Sequence, residues 1–415
     1  MQPADPPFFS VLTYLLQILA ITGATLGLAI LPGWQFAKRL TGERDVALLL
    51  SGMISFLLTY LSSFGVYLLH GDPKWAVGIM GILSAFSVVE MLRARASEEN
   101  PEWQLIALWF GTTLAFVAVQ LFIFAPGAPG GMWDWIEHWQ RARVFLENQP
   151  LKSMVGGYSM AARGPLFNTF SAQVMALCST SDYWCYQVAA CALNTWFVIP
   201  LAIAFRRFSG VSSAASLVLA ACVPLASQDV SWSIIYPWTK IFVAGVTLGS
   251  FVVYLHGIRS QNRRLEGIGL AGFALAFLAH YLAFPFALFV WGHYALTKLR
   301  KDRSRLSTAA LALLASAAIV SSWFAPCFAS LGIRQSLSAN TTIGSFYITT
   351  KTGEQPSYSK TLAYNTASTF LPSKALDALG MSDWIPLPAD FLKWWVVIWH
   401  DGKQTFAKEM PELSK

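Results

Sequence analysis

The stretch GMWDWIEHWQRARVFLENQ (residues 131–149) interrupts a long series of apolar segments and guides the interpretation of the whole chain. Read as a helix, it places four ionisable residues on one face, at i, i+3, i+4 and i+7: Asp134, Glu137, His138 and Arg141. An apolar stripe runs beside them: Trp135, Trp139, Ala142 and Leu146. Tryptophans on the apolar side of such a helix predict a position in the membrane interface, with the polar face toward water.

The polar face of this stretch combines two carboxylates, an imidazole and a guanidinium. These groups together can move a proton beside an anionic group. We therefore predict that the loop over residues 125–165 carries the active site, with Asp134, Glu137 and His138 as catalytic candidates. A surface helix with a solvated polar face explains the same pattern and stays open at this point.

The composition points to a membrane protein. The chain has 415 residues, of which 55% are hydrophobic and only 12% are charged, whereas a soluble domain carries about 25% charged residues. Repeated apolar runs predict an all-α polytopic membrane protein. The net charge of +7 lies mostly in short loops and in the C-terminal tail, so it gives no indication of a nucleic-acid partner.

We predict about ten transmembrane helices (roughly nine to twelve) from run length. They cover residues 8–32, 45–70, 74–92, 103–124, 183–205, 211–227, 236–256, 266–281, 283–299 and 306–326. The apolar stretch after Pro165, up to residue 180, is short for a span, and we expect it to be re-entrant or to lie beside the membrane.

The basic loops set the predicted orientation. Lys and Arg concentrate in alternate loops, around residues 38–44, 93–95, 206–207, 259–264 and 298–305, which the positive-inside rule assigns to the cytoplasm. The Asp134 helix then lies on the outer face. We divide the chain into N-terminal helices (1–102), a central transmembrane module (103–330) and an outer-face C-terminal segment (331–415). Residues 390–400 of that segment predict an interfacial helix, and a helix packed into the core of the segment is the alternative.

Three further places hold polar residues that a simple helical bundle would not need. Arg163 precedes Gly164-Pro165 and Asn168 at the start of an apolar segment. The next two places lie at the outer ends of predicted spans. Asp229 is just outside one span and Lys240 about a turn inside the next, while His280 and Tyr281 occupy the short turn between two spans. With Arg141, these residues are our candidates for binding a lipid phosphate. Arginines and lysines that snorkel to the interface, and a histidine satisfied within its turn, are the structural alternatives.

These residues resemble a pattern of the GT-C superfamily of integral-membrane glycosyltransferases, in particular the bacterial arabinosyl-, galacturonosyl- and mannosyltransferase-like branch. The resemblance rests on the acidic Asp134 in an outer WDxxxxW segment and on Gly164-Pro165-Leu166, where relatives have a Pro-Pro-Leu-like helix start. The stretch from Tyr236 to Lys240 also resembles an aromatic-Pro-Lys segment of some members. The chain departs from the pattern in the additional spans before the loop, in Gly-Pro for Pro-Pro, and in the short tail.

The resemblance implies an enzyme of the bacterial inner membrane with its active site on the periplasmic face. It would transfer a sugar from a polyprenyl-phosphate donor to a lipid, glycan or protein acceptor, with inversion and with Asp134 as general base. Some relatives need a divalent metal, but the sequence shows no ligand cluster that requires one. A transporter or flippase of a lipid-linked saccharide, or an inactive assembly partner, is the alternative.

Overall fold

The structure is a computed structural model that describes residues 8–94, 101–123, 133–155, 158–236 and 238–338, together with Gly380. Its helices in the first half of the chain are α1 (Phe8–Leu40), α2 (Arg44–Leu68), α3 (Pro73–Ala94), α4 (Pro101–Ile123), α5 (Trp133–Leu146), α6 (Leu166–Leu177), α7 (Tyr183–Thr195) and α8 (Val198–Phe208). The second half holds α9 (Ser213–Ala226), α10 (Gln228–Ile235), α11 (Thr239–Arg259), α12 (Arg263–Ala279), α13 (Phe284–Tyr294), α14 (Leu306–Leu331) and α15 (Ile333–Ser338).

Short irregular elements complete this part of the chain. Two strands, β1 (Met154–Val155) and β2 (Tyr158–Ser159), form an antiparallel hairpin. A π-helical stretch, Ala295–Leu299, extends α13. Single 3₁₀ turns at Met160–Ala162, Tyr281–Ala283 and Arg303–Arg305 link helices to their neighbours.

The helical class predicted from the sequence is confirmed. In the part of the chain that the structure describes, six helical segments are long and apolar enough to cross a membrane: Leu12–Leu40, Arg44–Leu68, Glu102–Leu121, Tyr183–Phe208, Thr239–Arg259 and Arg303–Leu331. Each of the ten predicted spans coincides with a helix or, at 183–205, with α7 followed directly by α8. A total of about ten crossings stays a prediction, because the other four helices fall short of these criteria.

Aromatic side chains hold the centre of the bundle together. Phe56 of α2 makes edge-to-face contacts with Phe170 of α6, with Trp196 after α7 and with Phe242 of α11, at ring-centroid distances of 5.6, 5.0 and 4.9 Å. A Cβ at Gly52 would lie 2.9 Å from the Trp196 ring. The Trp196 indole therefore packs against α2 only because position 52 has no side chain. Such close packing drives helix association where lipid offers no hydrophobic gain. The predicted segments 1–102 and 103–330 therefore share one core.

Ion pairs connect the basic loops at one end of the bundle, which we call the basic end. They are Lys38–Glu90, Arg44–Glu102, Asp45–Arg206, Asp45–Arg207, Glu43–Arg207, Arg263–Asp302 and Glu266–Arg305. The loops that the positive-inside rule assigns to one side thus meet at one end. Their cytoplasmic location stays a prediction.

The opposite end, which we call the site end, carries α5 and both ends of α6. Asn148, just after α5, donates from Nδ2 to the carbonyl of Gly71 between α2 and α3 (2.8 Å). Gln173 of α6 donates to the carbonyl of Ala76 in the first turn of α3 (3.0 Å). Beyond α6, Ser181 O accepts from Trp139 Nε1 of α5 (3.0 Å). The chain therefore enters and leaves α6 at the site end, in agreement with the re-entrant placement.

The predicted outer-face C-terminal segment lies almost wholly outside the described residues. The described chain runs beyond α14 only through α15 and includes Gly380 as an isolated position. The interfacial helix expected at 390–400 also falls outside this part.

Candidate functional site

Helix α5 forms where the sequence predicts it but is oriented differently. Glu137, His138 and Arg141 are only 2%, 4% and 0% exposed, because α6 packs against α5. The expectation that this polar face points toward water is therefore wrong, and so is the alternative of a solvated surface helix. The apolar stripe is also covered, since Trp139 and Ala142 are buried. A charged face inside a protein must be satisfied by internal partners.

Arg141 makes most of the internal hydrogen bonds of this charged face. Its Nε donates to Glu137 Oε1 at 2.7 Å, its Nη1 to the carbonyl of Met160 at 3.0 Å and its Nη2 to the carbonyl of Ser159 at 3.1 Å. Each nitrogen of the guanidinium thus has a protein acceptor within the buried interior. Arg141 thus ties α5 to the end of β2 and the residue after it, and it holds the Glu137 carboxylate in place. Its binding to a lipid phosphate stays a prediction.

Glu137 lies between two guanidinium groups. Besides Arg141, Arg163 approaches Glu137 Oε1 with its Nε at 3.6 Å. The side chain of Arg163 is 13% exposed, so it borders both the buried cluster and the surface. The two candidates predicted from separate parts of the sequence, Glu137 and Arg163, therefore belong to one site.

Gly164 brings the start of α6 against the end of α12. A Cβ at this position would lie 2.0 Å from the Leu278 carbonyl oxygen and 2.5 Å from its carbon. These backbone atoms cannot move aside as the end of a flexible side chain can. This contact gives a physical reason for glycine at position 164.

We expect Gly164→Ala to destabilise the protein by about 1–3 kcal/mol, the usual cost of overpacking a tight interior contact. Thermal unfolding of the purified protein in detergent measures the effect. Gly111→Ala is the matched control, since a Cβ there has no neighbour within 4 Å and alanine is the better helix former. Equal midpoints for both variants would contradict the close approach of α6 to α12.

His138 is held as a neutral imidazole with a defined tautomer. Its Nδ1 lies 3.1 Å from Asn168 Oδ1, while the Asn168 amide nitrogen donates to the carbonyl of Gly164 at 3.4 Å. Since Oδ1 can only accept, Nδ1 of His138 carries the proton and Nε2 keeps a lone pair. Burial, together with the charges of Arg141 and Arg163, lowers the pKa of His138 well below its usual value.

His280 lies against the same cluster, at the C-terminus of α12. Its Nδ1 accepts the backbone N–H of Leu282 at 3.2 Å. Burial, then the positive charges of Arg163 and Lys240, lower its pKa to about 4. The ring of Tyr281, which is 46% exposed, lies over the imidazole at a centroid distance of 4.1 Å. His280 is therefore neutral at physiological pH, and the fixed positive charge here comes from Arg163 and Lys240.

Lys240 stands where this cluster meets an apolar groove. It is exposed in the first turn of α11, with its Nζ 4.3 Å from the centroid of the Trp238 ring. The groove has a volume of about 540 Å³ and lies between α11, α12 and α13. Apart from Lys240 its lining is almost entirely apolar, and includes Val243, Leu248, Phe273, Phe286 and Phe289. We call it the Lys240 groove.

No family model, no curated protein and no solved structure matches this chain. Direct contacts and electrostatic interactions bring together six of the nine predicted site residues: Glu137, His138, Arg141, Arg163, Lys240 and His280. Tyr281 joins them through its tilted ring contact with His280.

The side chains of the two predicted aspartates lie outside the described part of the structure. Asp134 is a residue of α5, one helical turn before His138, and Asp229 is a residue of α10. Among the described residues no three His, Cys, Asp or Glu side chains form a group that could hold a metal ion.

Sequence reasoning missed the main-chain partners of the site. The carbonyls of Ser159 and Met160 accept from Arg141, and a backbone oxygen leaves no signal in the sequence. It also missed Asp45 and Glu266, which are buried carboxylates at the basic end. Their signal was present, because a carboxylate at the edge of an apolar run close to arginines predicts an ion pair.

Proposed function

We propose that this protein is an integral-membrane glycosyltransferase that takes its sugar from a polyprenyl-phosphate donor. One observation carries the proposal: Lys240 stands at the junction between an apolar groove and a buried, positively charged cluster. An amphiphile with a long hydrocarbon tail and a phosphate head matches this junction. Its tail would occupy the Lys240 groove, and its phosphate would approach Lys240 and Arg163.

The position of the junction favours a substrate dissolved in the membrane. Phe286 and Phe289, which line the groove, are 59% and 71% exposed. Aromatic side chains so exposed on apolar helices are suited to contact lipid rather than water. A donor could thus enter sideways from the bilayer, and no nucleotide-binding domain is needed.

The reaction proposed is a single displacement at the anomeric carbon. An acceptor hydroxyl attacks that carbon while Asp134 takes its proton. The bond from carbon to the phosphate oxygen breaks, and polyprenyl phosphate leaves with the electron pair. Arg163 and Lys240 would stabilise the negative charge that develops on the leaving group. Attack from the opposite side inverts the anomeric centre.

The buried residues around this chemistry have positioning roles in the proposal. Arg141 and Arg163 fix the Glu137 carboxylate, and Asn168 fixes the His138 tautomer. His138 keeps an unprotonated Nε2, which can share the proton that Asp134 receives. The resemblance of Asp134 and Gly164-Pro165-Leu166 to the GT-C pattern supports the same assignment, and with it a bacterial inner membrane and a periplasmic site.

The distribution of charge weighs against the transporter alternative. Among the described residues, the buried Asp, Glu, Lys and Arg side chains are Asp45, Glu102, Glu266 and Arg305 at the basic end and Glu137 and Arg141 at the site end. They form two separate groups rather than a continuous polar path. A transporter of a charged saccharide would require such a path across the membrane.

The test is turnover of a panel of radiolabelled polyprenyl-phosphate sugars by the purified protein, wild type beside Lys240→Gln. We expect wild type to release polyprenyl phosphate from at least one donor. Loss of a charged contact to phosphate should lower kcat/KM of Lys240→Gln by about 10- to 100-fold. Lys152→Gln is the control, since Lys152 is exposed at the same end outside the groove.

Two results would contradict the proposal. Release of no polyprenyl phosphate from any donor by wild type would exclude a glycosyltransferase of this donor class. Turnover that falls equally in the Lys240 and Lys152 variants would show that the lysine at the groove has no special role in donor binding.

A further inference from the structure

A second groove lies at the basic end, remote from the proposed active site. It has a volume of about 380 Å³ and runs between the first turns of α12 and the start of α14. The end of α1 closes it with Leu40. Its lining is Leu40, Arg263, Arg264, Gly267, Ile268, Ala271, Thr308, Leu311, Ala312 and Ala315. We call it the Arg264 groove.

The Arg264 groove has a charged mouth and an apolar body. From α12 it takes positions i, i+1, i+4, i+5 and i+8 counted from Arg263, which form one helical face. Both arginines lie in the first turn of α12, and the lining residues that follow them on this helix are Gly267, Ile268 and Ala271, all small or apolar. On α14 the lining from Thr308 to Ala315 spans about 10 Å at 1.5 Å per residue. Leu311 is 69% exposed, so the body of the groove is open on its outer side.

The two arginines differ in their partners. Arg263 is anchored by Asp302 (Nη2 to Oδ2, 3.3 Å) and by the Ser304 hydroxyl (2.8 Å). Arg264 is exposed, and within the described chain its guanidinium has no hydrogen bond or ion pair. One charge is therefore fixed at the rim, and the other extends from the helix and can reach an anion.

Buried charge makes this rim rigid. Arg305 pairs with Glu266, which is fully buried in α12, and also donates from Nε to Asp302 Oδ2 at 3.2 Å. Asp302 in turn holds Arg263. The loop before α14 is thus locked to α12 by a chain of ion pairs. A preformed rim lowers the ordering cost of binding.

We propose that the Arg264 groove binds an anionic phospholipid of the leaflet at the basic end, with an acyl chain along α12 and α14 and the headgroup phosphate on Arg264 and Arg263. Charge complementarity selects this occupant, since basic pockets between membrane helices bind acidic headgroups. The apolar body directly below the charges fits the acyl chain of the same molecule. A second copy of the protein could occupy the groove only if it placed an acidic group at the mouth and a helix in the body.

The test measures lipid binding to the purified full-length chain in detergent. Phosphatidylglycerol and phosphatidylcholine with identical acyl chains are titrated, and bound lipid is counted by native mass spectrometry. We expect wild type to bind phosphatidylglycerol at least about fivefold more tightly, the effect of roughly one basic residue near a lipid phosphate. The identical chains isolate the headgroup contribution.

Two pairs of variants separate the mouth from the body. Arg264→Gln should remove the preference for phosphatidylglycerol, whereas Lys301→Gln, in the exposed loop before α14, should keep it. Ala315→Trp fills the body and should weaken both lipids, whereas Ala310→Trp places the same side chain at an exposed position of α14 outside the lining and should not.

Three outcomes would overturn the proposal. The first is equal affinity of wild type for the two lipids. The second is an unchanged preference in Arg264→Gln. The third is self-association of wild type that Ala315→Trp abolishes, which would assign the groove to an interface between copies. None of these readouts depends on glycosyl transfer.

Discussion

Asp134→Asn is expected to slow release of polyprenyl phosphate by about a hundredfold or more, within the 10²–10⁴-fold range for loss of a general base. The asparagine side chain has nearly the same shape but cannot take the proton of the acceptor hydroxyl. Donor binding relies on Lys240, Arg163 and the groove in our proposal, so the loss should appear in kcat rather than in the KM for donor. Steady-state assays with the donor identified from the panel measure both.

The matched control for this variant is Asp182→Asn. Asp182 is an exposed residue at the start of α7, at the same end of the bundle, and its side chain forms no helix cap. We expect full activity from it. Equal turnover of Asp134→Asn and wild type would exclude Asp134 as the base and leave Asp229 as the next carboxylate to test.

Arg141→Met is expected to destabilise the fold by about 3–5 kcal/mol, the typical effect of breaking a buried ion pair. The change removes the nearer of the two guanidiniums on Glu137 and leaves the carbonyls of Ser159 and Met160 without their donor. Methionine fills most of the space, so the loss reports on charge and hydrogen bonds more than on a cavity. Denaturant unfolding in detergent, followed by circular dichroism, measures it.

The same helix offers a control for this prediction. Arg143 pairs with Glu147 at 2.6 Å, but both side chains are 31% exposed, and such pairs contribute only about 0–1 kcal/mol. Arg143→Met should therefore change stability little. The double variant Glu137→Gln/Arg141→Met should be more stable than Arg141→Met alone, because it has no buried Glu137 carboxylate that lacks the Arg141 guanidinium. Similar losses for Arg141→Met and Arg143→Met would refute the buried network.

The sequence predicted the elements of the site better than their surroundings. Residues 131–149 indicated a helix, and α5 spans Trp133–Leu146 with Glu137, His138 and Arg141 on one face. Spacing within a helix is a local property, so it could be predicted. The covering of that face by α6 could not, because it depends on a contact between Asn168 and His138, 30 residues apart.

The ends of the bundle show the same limit. The distribution of lysines and arginines predicted that the basic loops lie on one side of the bundle. The ion pairs Asp45–Arg207 and Glu266–Arg305 both lie at that end, the basic end. The charge pattern carried no information on which acidic residue meets which arginine. Likewise, the carboxylate of Glu137 and the guanidinium of Arg163 were separate candidates until the fold brought them to 3.6 Å.

The Asp45 ion pairs have a consequence for the growing chain. Asp45 bonds to Arg207, 162 positions later, and ribosomes add about 5–20 residues per second. Roughly 8 to 30 s therefore separate the synthesis of the carboxylate from that of its partner at this elongation rate. During that interval the N-terminus of α2 must remain in contact with water or with another cation. Docking of α2 onto α8 is consequently a late event in biogenesis, and a chain released before residue 206 would lack both arginine partners of Asp45.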